Sequence, residues 1–178
     1  MTTKKHDFVE VEFVGRNLGN NEIFDTNIPA EAKKIELEIT NNKPFIISIG
    51  RGMVVKGFDE ALEDKEVGKK YTVKIGPEKA FGKKSAQLIQ MISASKFKEQ
   101  KVPVAAGMQV NIDGKIGIIK SISGGRIIID FNHPLAGLDL AYNIKIHKKI
   151  DDDAQKIKAI FEVDLGIKDT NITIKDGI

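Results

Sequence analysis

Three consecutive blocks decide the fold: FIISIG at residues 45–50, KGFDEAL at residues 56–62 and VGKKYTVKI at residues 67–75. The first is rich in β-branched residues and ends on a glycine, which predicts a strand followed by a turn. In the second, apolar residues from Phe58 to Leu62 recur at a spacing of three and four, which predicts one buried face of a short helix. The third alternates apolar and polar residues and predicts a return strand. Together the blocks predict a sheet packed on a short helix.

Most of the remaining chain has a β-type pattern. Alternation of apolar and polar residues predicts four further strands, at residues 8–15, 22–26, 35–39 and 140–150. A brief helix is expected over residues 27–34, because Pro29 suits a first helical position and Asn27 lies near the cap.

The pattern of apolar and turn residues changes after Gly82. We expect a strand over residues 87–92, a short helix over residues 93–100 capped by Ser93, and then a β meander. The meander strands are expected at residues 108–112, 115–122 and 126–130. Asp-Gly and Gly-Gly pairs between these runs are strong hairpin signals. Residues 84–130 are therefore predicted to form a small β-rich unit inserted between strands of the first domain and hinged to it.

The C-terminal segment, residues 151–178, is predicted to be a helix-strand extension. Asp151, Asp152 and Asp153 suit a helix start, and Gly166 suits its end. Residues 171–174 look β-like, and the turn signal after them has no second strand to pair with. We therefore expect the extension to be the first half of a domain that continues beyond residue 178, with an apolar helix that could self-associate.

The composition is that of a globular chain. Of 178 residues, 41% are hydrophobic and 30% are charged, with a net charge of +3, which suits an ordinary domain with a small companion. Lysines alternate with acidic residues, so the charge pattern predicts a solvated surface rather than a nucleic-acid site. No apolar run reaches the about eighteen residues of a membrane-spanning helix, and the first residues are charged. We expect a cytoplasmic protein without membrane or nucleic-acid partners.

The usual catalytic patterns are missing. Cysteine is absent, and His6, His133 and His147 show no metal-ligand spacing. Neither a nucleophile elbow nor a phosphate loop is present, since Gly50-Arg51-Gly52 lacks the Gly-Lys-Ser/Thr ending. The sequence therefore predicts no metal and no cofactor, and a reaction that needs no nucleophile.

Several dispersed motifs resemble those of FKBP-type peptidyl-prolyl isomerases. They are Lys43-Pro44-Phe45, Val54-Val55-Lys56-Gly57-Phe58, Glu66-Val67-Gly68 and Ala80-Phe81-Gly82. In addition, Asn132-His133 with Leu135-Ala136-Gly137 resembles the Asn-His-x-Leu-Ala-Gly motif of the SlyD-like branch, which is common in archaea and bacteria. The resemblance implies an α+β fold with a discontinuous isomerase domain (residues 1–83 and 131–150) and an insert-in-flap chaperone domain (residues 84–130).

The same resemblance implies the site residues. The catalytic residues would be Asp25, Phe58, Phe81 and Tyr142. The substrate-binding residues would be Phe13, Phe24, Phe45, Val54 and Val55, with the backbone N–H of Val55 binding a substrate carbonyl. Phe58 stands where many relatives have a tryptophan under the prolyl ring, and Phe13 and Phe81 stand where tyrosine is common. Taken singly, any of these phenylalanines would more often be plain core.

The implied reaction is rotation about an X–Pro bond, whose barrier of about 20 kcal/mol reflects the partial double-bond character of C–N. The twisted transition state is less dipolar than the planar amide, so an apolar pocket favours it by differential binding. The expected partners are unfolded or nascent chains that contain X–Pro bonds. The alternative is a holdase whose prolyl pocket has lost activity.

The inserted unit is expected to bind unfolded chains. Its predicted chaperone surface comprises Leu88, Ile89, Met91, Ile92 and Met108. Flexible, exposed Met and Ile side chains suit promiscuous binding, although the same residues could instead form the core of the unit. A further alternative, an RNA-binding meander over residues 115–126, lacks the aromatic stacking platform that such modules use.

Overall fold

The computed structural model describes residues 1–38, 45–99, 103–167 and 171–174. The chain divides into two compact units, residues 1–80 with 138–178 and residues 81–137. In chain order the elements are β1 (Phe8–Asn17), β2 (Ile23–Thr26), α1 (Pro29–Ala32), β3 (Phe45–Ser48), α2 (Lys56–Ala61), β4 (Lys70–Ile75), β5 (Ile89–Ser93), α3 (Ala94–Glu99), β6 (Gln109–Ile112), β7 (Lys115–Ser123), β8 (Arg126–Asp130), β9 (Leu140–Ile150) and α4 (Asp153–Asp164).

Five antiparallel strands form the sheet of the first unit, in the order β2-β1-β9-β4 with β3 also paired to β1. Strand β1 is shared by three partners: its first residues pair with β3, its last residues pair with β2, and β9 runs along its other edge. The alternation along β1 buries Val9, Val11 and Phe13, as the sequence predicts. This buried face is the one that meets α2.

Helix α2 packs directly on the sheet beside β4. A side chain at Gly57 would overlap the side chain of Ile75 on β4, so only glycine permits this close approach. Phe58 and Leu62, the ends of the predicted apolar stripe, are each 1% exposed. The predicted architecture, an antiparallel sheet packed on a short helix, is confirmed.

One prediction between β2 and β3 is wrong. The strand expected over residues 35–39 does not form in its described part, because Lys33–Ile35 is a 3-10 helix and Glu36 is left-handed at φ 53°. Residue 39 lies outside the described residues. The brief helix is confirmed as α1, with Pro29 in its first turn and Ile28, next to Asn27, as its N-cap. The Asn27 amide pairs with the β1 backbone, accepting from Phe13 N–H at 2.8 Å.

The second unit is a four-stranded antiparallel sheet in the order β5-β8-β7-β6. Both predicted hairpin turns are confirmed, since Asp113, Gly114, Gly124 and Gly125 all have positive φ, as tight two-residue hairpin turns require. One face of the sheet holds the core of the unit. This core consists of Phe97 from α3 with Val110, Ile119, Ile127 and Ile129.

The two ends of the second unit are tied to each other. The amide of Asn132 accepts from Ser85 N–H at 2.8 Å and donates to Ser85 O at 3.0 Å. Gly137 N–H donates to Gly82 O at 2.8 Å. Residues on both sides of the expected 84–130 insert therefore belong to the same compact unit.

Helix α4 in the C-terminal extension packs against β3. Its start is confirmed at the acidic run, where the Asp152 carboxylate accepts from Gln155 N–H at 2.7 Å. Gly166 follows with a positive φ of 65°, which suits a helix end. Within the described part of the chain, residues 171–174 pair with no strand, as expected of a segment without a second strand to bond to. The continuation expected after residue 178 stays a prediction.

Thr3 holds the end of α2 to the N-terminal segment. Its fully buried hydroxyl donates to Leu62 O at 2.5 Å and accepts from Lys65 N–H at 2.9 Å. Replacing Thr3 by valine leaves both backbone groups unsatisfied, so we expect a loss of about 1–3 kcal/mol in the free energy of unfolding, measured by urea denaturation. The same change at the exposed Thr2 is the matched control. Equal effects of the two substitutions would contradict this role.

Candidate functional site

Five aromatic rings of the first unit meet in one cluster. Phe13 from β1 makes ring contacts with Phe45 at 6.2 Å, with Phe58 at 5.5 Å and with Tyr142 at 6.1 Å between centroids. Tyr142 also meets Phe58 at 5.0 Å and Phe24 at 5.6 Å. The ring planes are inclined by 53° to 88°, the edge-to-face range that aromatic pairs prefer. Strands β1, β2, β3 and β9 and helix α2 each contribute one ring.

The rings of the cluster differ in their exposure to solvent. Phe58 and Tyr142 are buried, whereas Phe24 and Phe45 keep part of their surface in solvent. Two of the five rings therefore offer accessible apolar surface. The arrangement provides no nucleophile.

Asp25 brings a carboxyl group to the polar end of this cluster. Loss of hydration raises its pKa above the ordinary 3.8, while the backbone N–H of Thr26 opposes that rise. Since the residue as a whole is exposed, solvent limits the shift. Burial raises the pKa of Tyr142, and the nearby Asp25 carboxylate adds to that rise. The Tyr142 hydroxyl therefore stays protonated and can donate a hydrogen bond.

Gly15 makes room for the cluster, and the sequence analysis did not identify it. A Cβ at this position would lie 2.7 Å from Phe24 Cζ and 3.0 Å from Tyr142 Cε1. Gly15 also lies where the pairing of β1 with β2 shifts register. A glycine inside an otherwise alternating strand is the sequence signal that could have indicated a close approach of this kind.

Val54 and Val55 lie on the loop that joins β3 to α2. Val55 is the N-cap of α2, and its carbonyl accepts hydrogen bonds from Phe58 N–H at 2.9 Å and Asp59 N–H at 3.0 Å. Among the described residues, none accepts a hydrogen bond from Val55 N–H. Both valines are half-buried. Toward the described part of the chain, the backbone N–H of Val55 is thus an unpaired donor three residues before Phe58.

Phe81 belongs to the second unit. Its ring stacks on the imidazole of His133, with centroids 4.4 Å apart and planes inclined by 4°. The imidazole is itself oriented, because Nδ1 of His133 accepts from Leu135 N–H at 3.1 Å. The role expected for Phe81 in a prolyl pocket stays a prediction.

The expected chaperone residues fall on two faces of the second sheet. Met91 is paired with Ile128 across β5 and β8, and this face carries a shallow groove of about 430 Å³. Ile89 shares that face by alternation, and Met91 is 60% exposed. Ile92 points the other way and packs on the core of the unit. Leu88 and Met108 are exposed outside the strands.

The described residues hold no group of three or more His, Cys, Asp or Glu side chains arranged to bind a metal ion. None of their helices combines the length and the apolar character needed to cross a bilayer.

The raised pKa of Asp25 generates a pH-dependent prediction. A raised folded-state pKa stabilises the fold below pH 3.8, and this contribution is lost as the pH rises through the folded value. Asp25→Asn does not titrate, so its stability relative to the parent should improve from acidic to neutral pH. Urea unfolding of both proteins across this range measures the difference, with Asp139→Asn, another exposed carboxylate of this unit, as the control. A difference that does not change with pH would contradict the prediction.

The sequence matches the family described as FKBP-type peptidyl-prolyl cis-trans isomerase over residues 1–98. A second match, described as FKBP26, IF domain, covers residues 90–135.

Similar proteins carry related names. A short-type peptidyl-prolyl cis-trans isomerase of Methanocaldococcus jannaschii is 34% identical over 145 residues, which cover 80% of this chain and 91% of that protein. The FKBP-type 16 kDa peptidyl-prolyl cis-trans isomerase of Escherichia coli K12 is 34% identical over 110 residues, or 60% of this chain and 74% of that protein. The isomerase SlyD of Haemophilus influenzae is 32% identical over 113 residues, or 61% and 59%. The chain belongs to the family of FKBP-type peptidyl-prolyl cis-trans isomerases.

Proposed function

We propose that this isomerase binds the prolyl ring of an X–Pro substrate at the aromatic cluster and stabilises the twisted amide there. The observation that carries the proposal is the convergence of rings from five separate elements, with Phe13 and Tyr142 each contacting several of the others. Five aromatic residues that each served only to fill the core of their own element would not need to meet at one point. A shared binding function explains why they do.

The proposed mechanism is differential binding. A planar amide carries a large dipole that water solvates well, and rotation reduces that dipole because resonance is lost. A surface of aromatic rings offers little to the planar dipole, so it lowers the free energy of the twisted form relative to the planar one. No proton transfer or covalent intermediate is required.

Two polar groups would orient the substrate. The free N–H of Val55 is suited to a carbonyl of the substrate, and the protonated hydroxyl of Tyr142 is a second donor. Asp25 would act as a polar wall beside Tyr142 rather than as a base.

Replacing Phe58 by leucine tests the cluster while keeping an apolar side chain of similar size. Each lost ring contact is worth about 0.5–1.5 kcal/mol, so we expect kcat/KM for Xaa-Pro tetrapeptides to fall about tenfold. A protease-coupled cis/trans assay measures this at a temperature where the variant stays folded. Phe161→Leu on α4 is the matched control. Activity of Phe58→Leu equal to that control would contradict the proposed site, and an inactive parent would favour the holdase alternative.

We also propose that the second unit binds unfolded chains. Its sheet has a core on one face, and the other face presents Ile89 and Met91 to solvent. The pairing partner of Met91, Ile128, and the exposed Ile116 extend this apolar surface. Met91 and Ile116 are 60% and 59% exposed, and exposed Met and Ile side chains suit clients of varied sequence.

Linkage of two binding sites in one chain would explain what such an insert contributes to the reaction. A client held by the second unit stays near the prolyl site of the same chain, which raises its effective concentration there. A short peptide offers no separate segment for the second unit to hold. The two kinds of substrate should therefore depend differently on the insert.

Deleting residues 86–129 should separate the two activities. Because Ser85 and Asn132 are hydrogen-bonded, a Gly-Gly linker can join residue 85 to residue 130. We expect tetrapeptide isomerisation to remain within about twofold, while proline-limited refolding of a protein substrate slows at least about tenfold.

The double variant Met91→Ser, Ile116→Ser is the companion to that deletion. Both residues are well exposed, so the unit should keep its fold while its apolar face is lost. Equal losses on peptide and protein substrates would count against separate roles for the two units.

The remaining proposals concern the location of the protein, its clients and its self-association. We propose a cytoplasmic location, which the absence of cysteine supports, and clients that are unfolded or nascent chains with X–Pro bonds. We also propose that the C-terminal extension mediates self-association, on the support of its exposed Leu165, Ile167 and Ile174.

A further inference from the structure

Two backbone N–H groups of the loop between β3 and α2 converge on one side chain. Gly50 N–H donates to Asp59 Oδ1 at 2.7 Å, and Gly52 N–H donates to Asp59 Oδ2 at 2.9 Å. Both glycines have positive φ, 82° and 71°, a conformation that other residues adopt at a cost. The Gly50-Arg51-Gly52 sequence thus allows two donors to face a single carboxylate.

Asp59 has few other means of compensating its burial. The residue is 7% exposed, and no cation forms an ion pair with it among the described residues. A buried carboxylate that gives up water needs hydrogen bonds in exchange. The two glycine N–H groups supply them, and such charge-assisted bonds are stronger than neutral ones.

This carboxylate connects the loop to the helix of the aromatic cluster. Asp59 follows Phe58 directly on α2, and the loop ends at Val55, whose carbonyl accepts from both residues. The other side of the loop is also fixed, since Ser48 N–H donates to the thioether of Met53 at 3.1 Å. The position of the free Val55 N–H relative to Phe58 therefore depends on the Asp59 contacts.

We propose that Asp59 is a positioning residue for the isomerase reaction: through Gly50 and Gly52 it holds the loop so that the Val55 N–H faces the substrate carbonyl above Phe58. This inference rests on the proposed prolyl site. It also gives a role to a motif that the function had not explained. The converging N–H groups resemble an anion-binding loop, and the anion they hold is a carboxylate of the protein itself.

The surroundings of Asp59 make the proposal testable by chemical rescue. A groove of about 490 Å³ reaches Gly50, Gly52 and Asp59 from solvent, with Lys5 and Lys56 among its other lining residues. In Asp59→Ala the two N–H groups lose their acceptor while the groove leaves them accessible. Formate, a carboxylate without a side chain, is then the probe that can replace the missing group.

The experiment compares the full-length parent with Asp59→Ala, Asp59→Asn and the control Glu63→Gln, an exposed acid beside the same groove. We expect kcat/KM for Xaa-Pro tetrapeptides to fall about tenfold or more in both Asp59 variants and to stay unchanged in the control. Formate should raise the activity of Asp59→Ala about threefold or more over sodium chloride of equal ionic strength. It should not raise the activity of the parent.

Amide hydrogen exchange gives a second measurement in the near-isosteric Asp59→Asn, which is used alone where the alanine variant does not fold. Exchange at Gly50 and Gly52 should accelerate about tenfold or more, while amides of β1 stay protected. Full activity of Asp59→Asn beside an active parent overturns the proposal, as does a folded Asp59→Ala that formate does not rescue. An inactive parent refutes the prolyl site instead. In that case, unchanged exchange at both glycines separately refutes the proposal that Asp59 holds the loop through Gly50 and Gly52.

Discussion

The first unit depends on the close approach of α2 to its sheet, and this approach depends on the absence of a side chain at Gly57. Ile75 of β4 occupies the space that a Cβ would need. With the helix at this depth, Phe58 reaches the rings of Phe13 and Tyr142. A helix displaced outward by the width of a methyl group would lose these ring contacts, because dispersion and ring-edge attractions fall steeply with distance.

Polar side chains hold the irregular segments of both units. In the first unit, the Asp59 carboxylate accepts hydrogen bonds from the backbone N–H groups of Gly50 and Gly52. In the second unit, the Asn132 amide pairs with the backbone of Ser85. In each case a nearly buried polar group satisfies backbone donors that regular secondary structure does not reach. These loops are thus specified by hydrogen bonds, whereas the strands are specified by apolar alternation.

Periodicity predicted the elements that have one buried face. Alternation or helical spacing predicted strands β1, β4 and β9, the two hairpins and α2. Burial of one side of an element requires apolar residues at that spacing, so the sequence shows it. The prediction over residues 35–39 failed where a 3-10 turn and the left-handed Glu36 break the strand conformation. Asn27 lies beside the cap of α1, as predicted, but its amide bonds a distant strand. A local pattern contains no information about such a partner.

The sequence by itself determined the family, the α+β class and the aromatic residue types, since these are carried by motifs and by the alternation that buries them. Tertiary structure alone decided which groups share one place. It brought Phe13, Phe24, Phe45, Phe58 and Tyr142 together, turned Ile92 inward and Met91 outward, placed Gly15 against Phe24 and Tyr142, and placed the Asp59 carboxylate against the backbone of Gly50 and Gly52. The physical reason is that close approach and hydrogen-bond pairing depend on register and on packing depth between segments far apart in the chain, which local spacing does not encode.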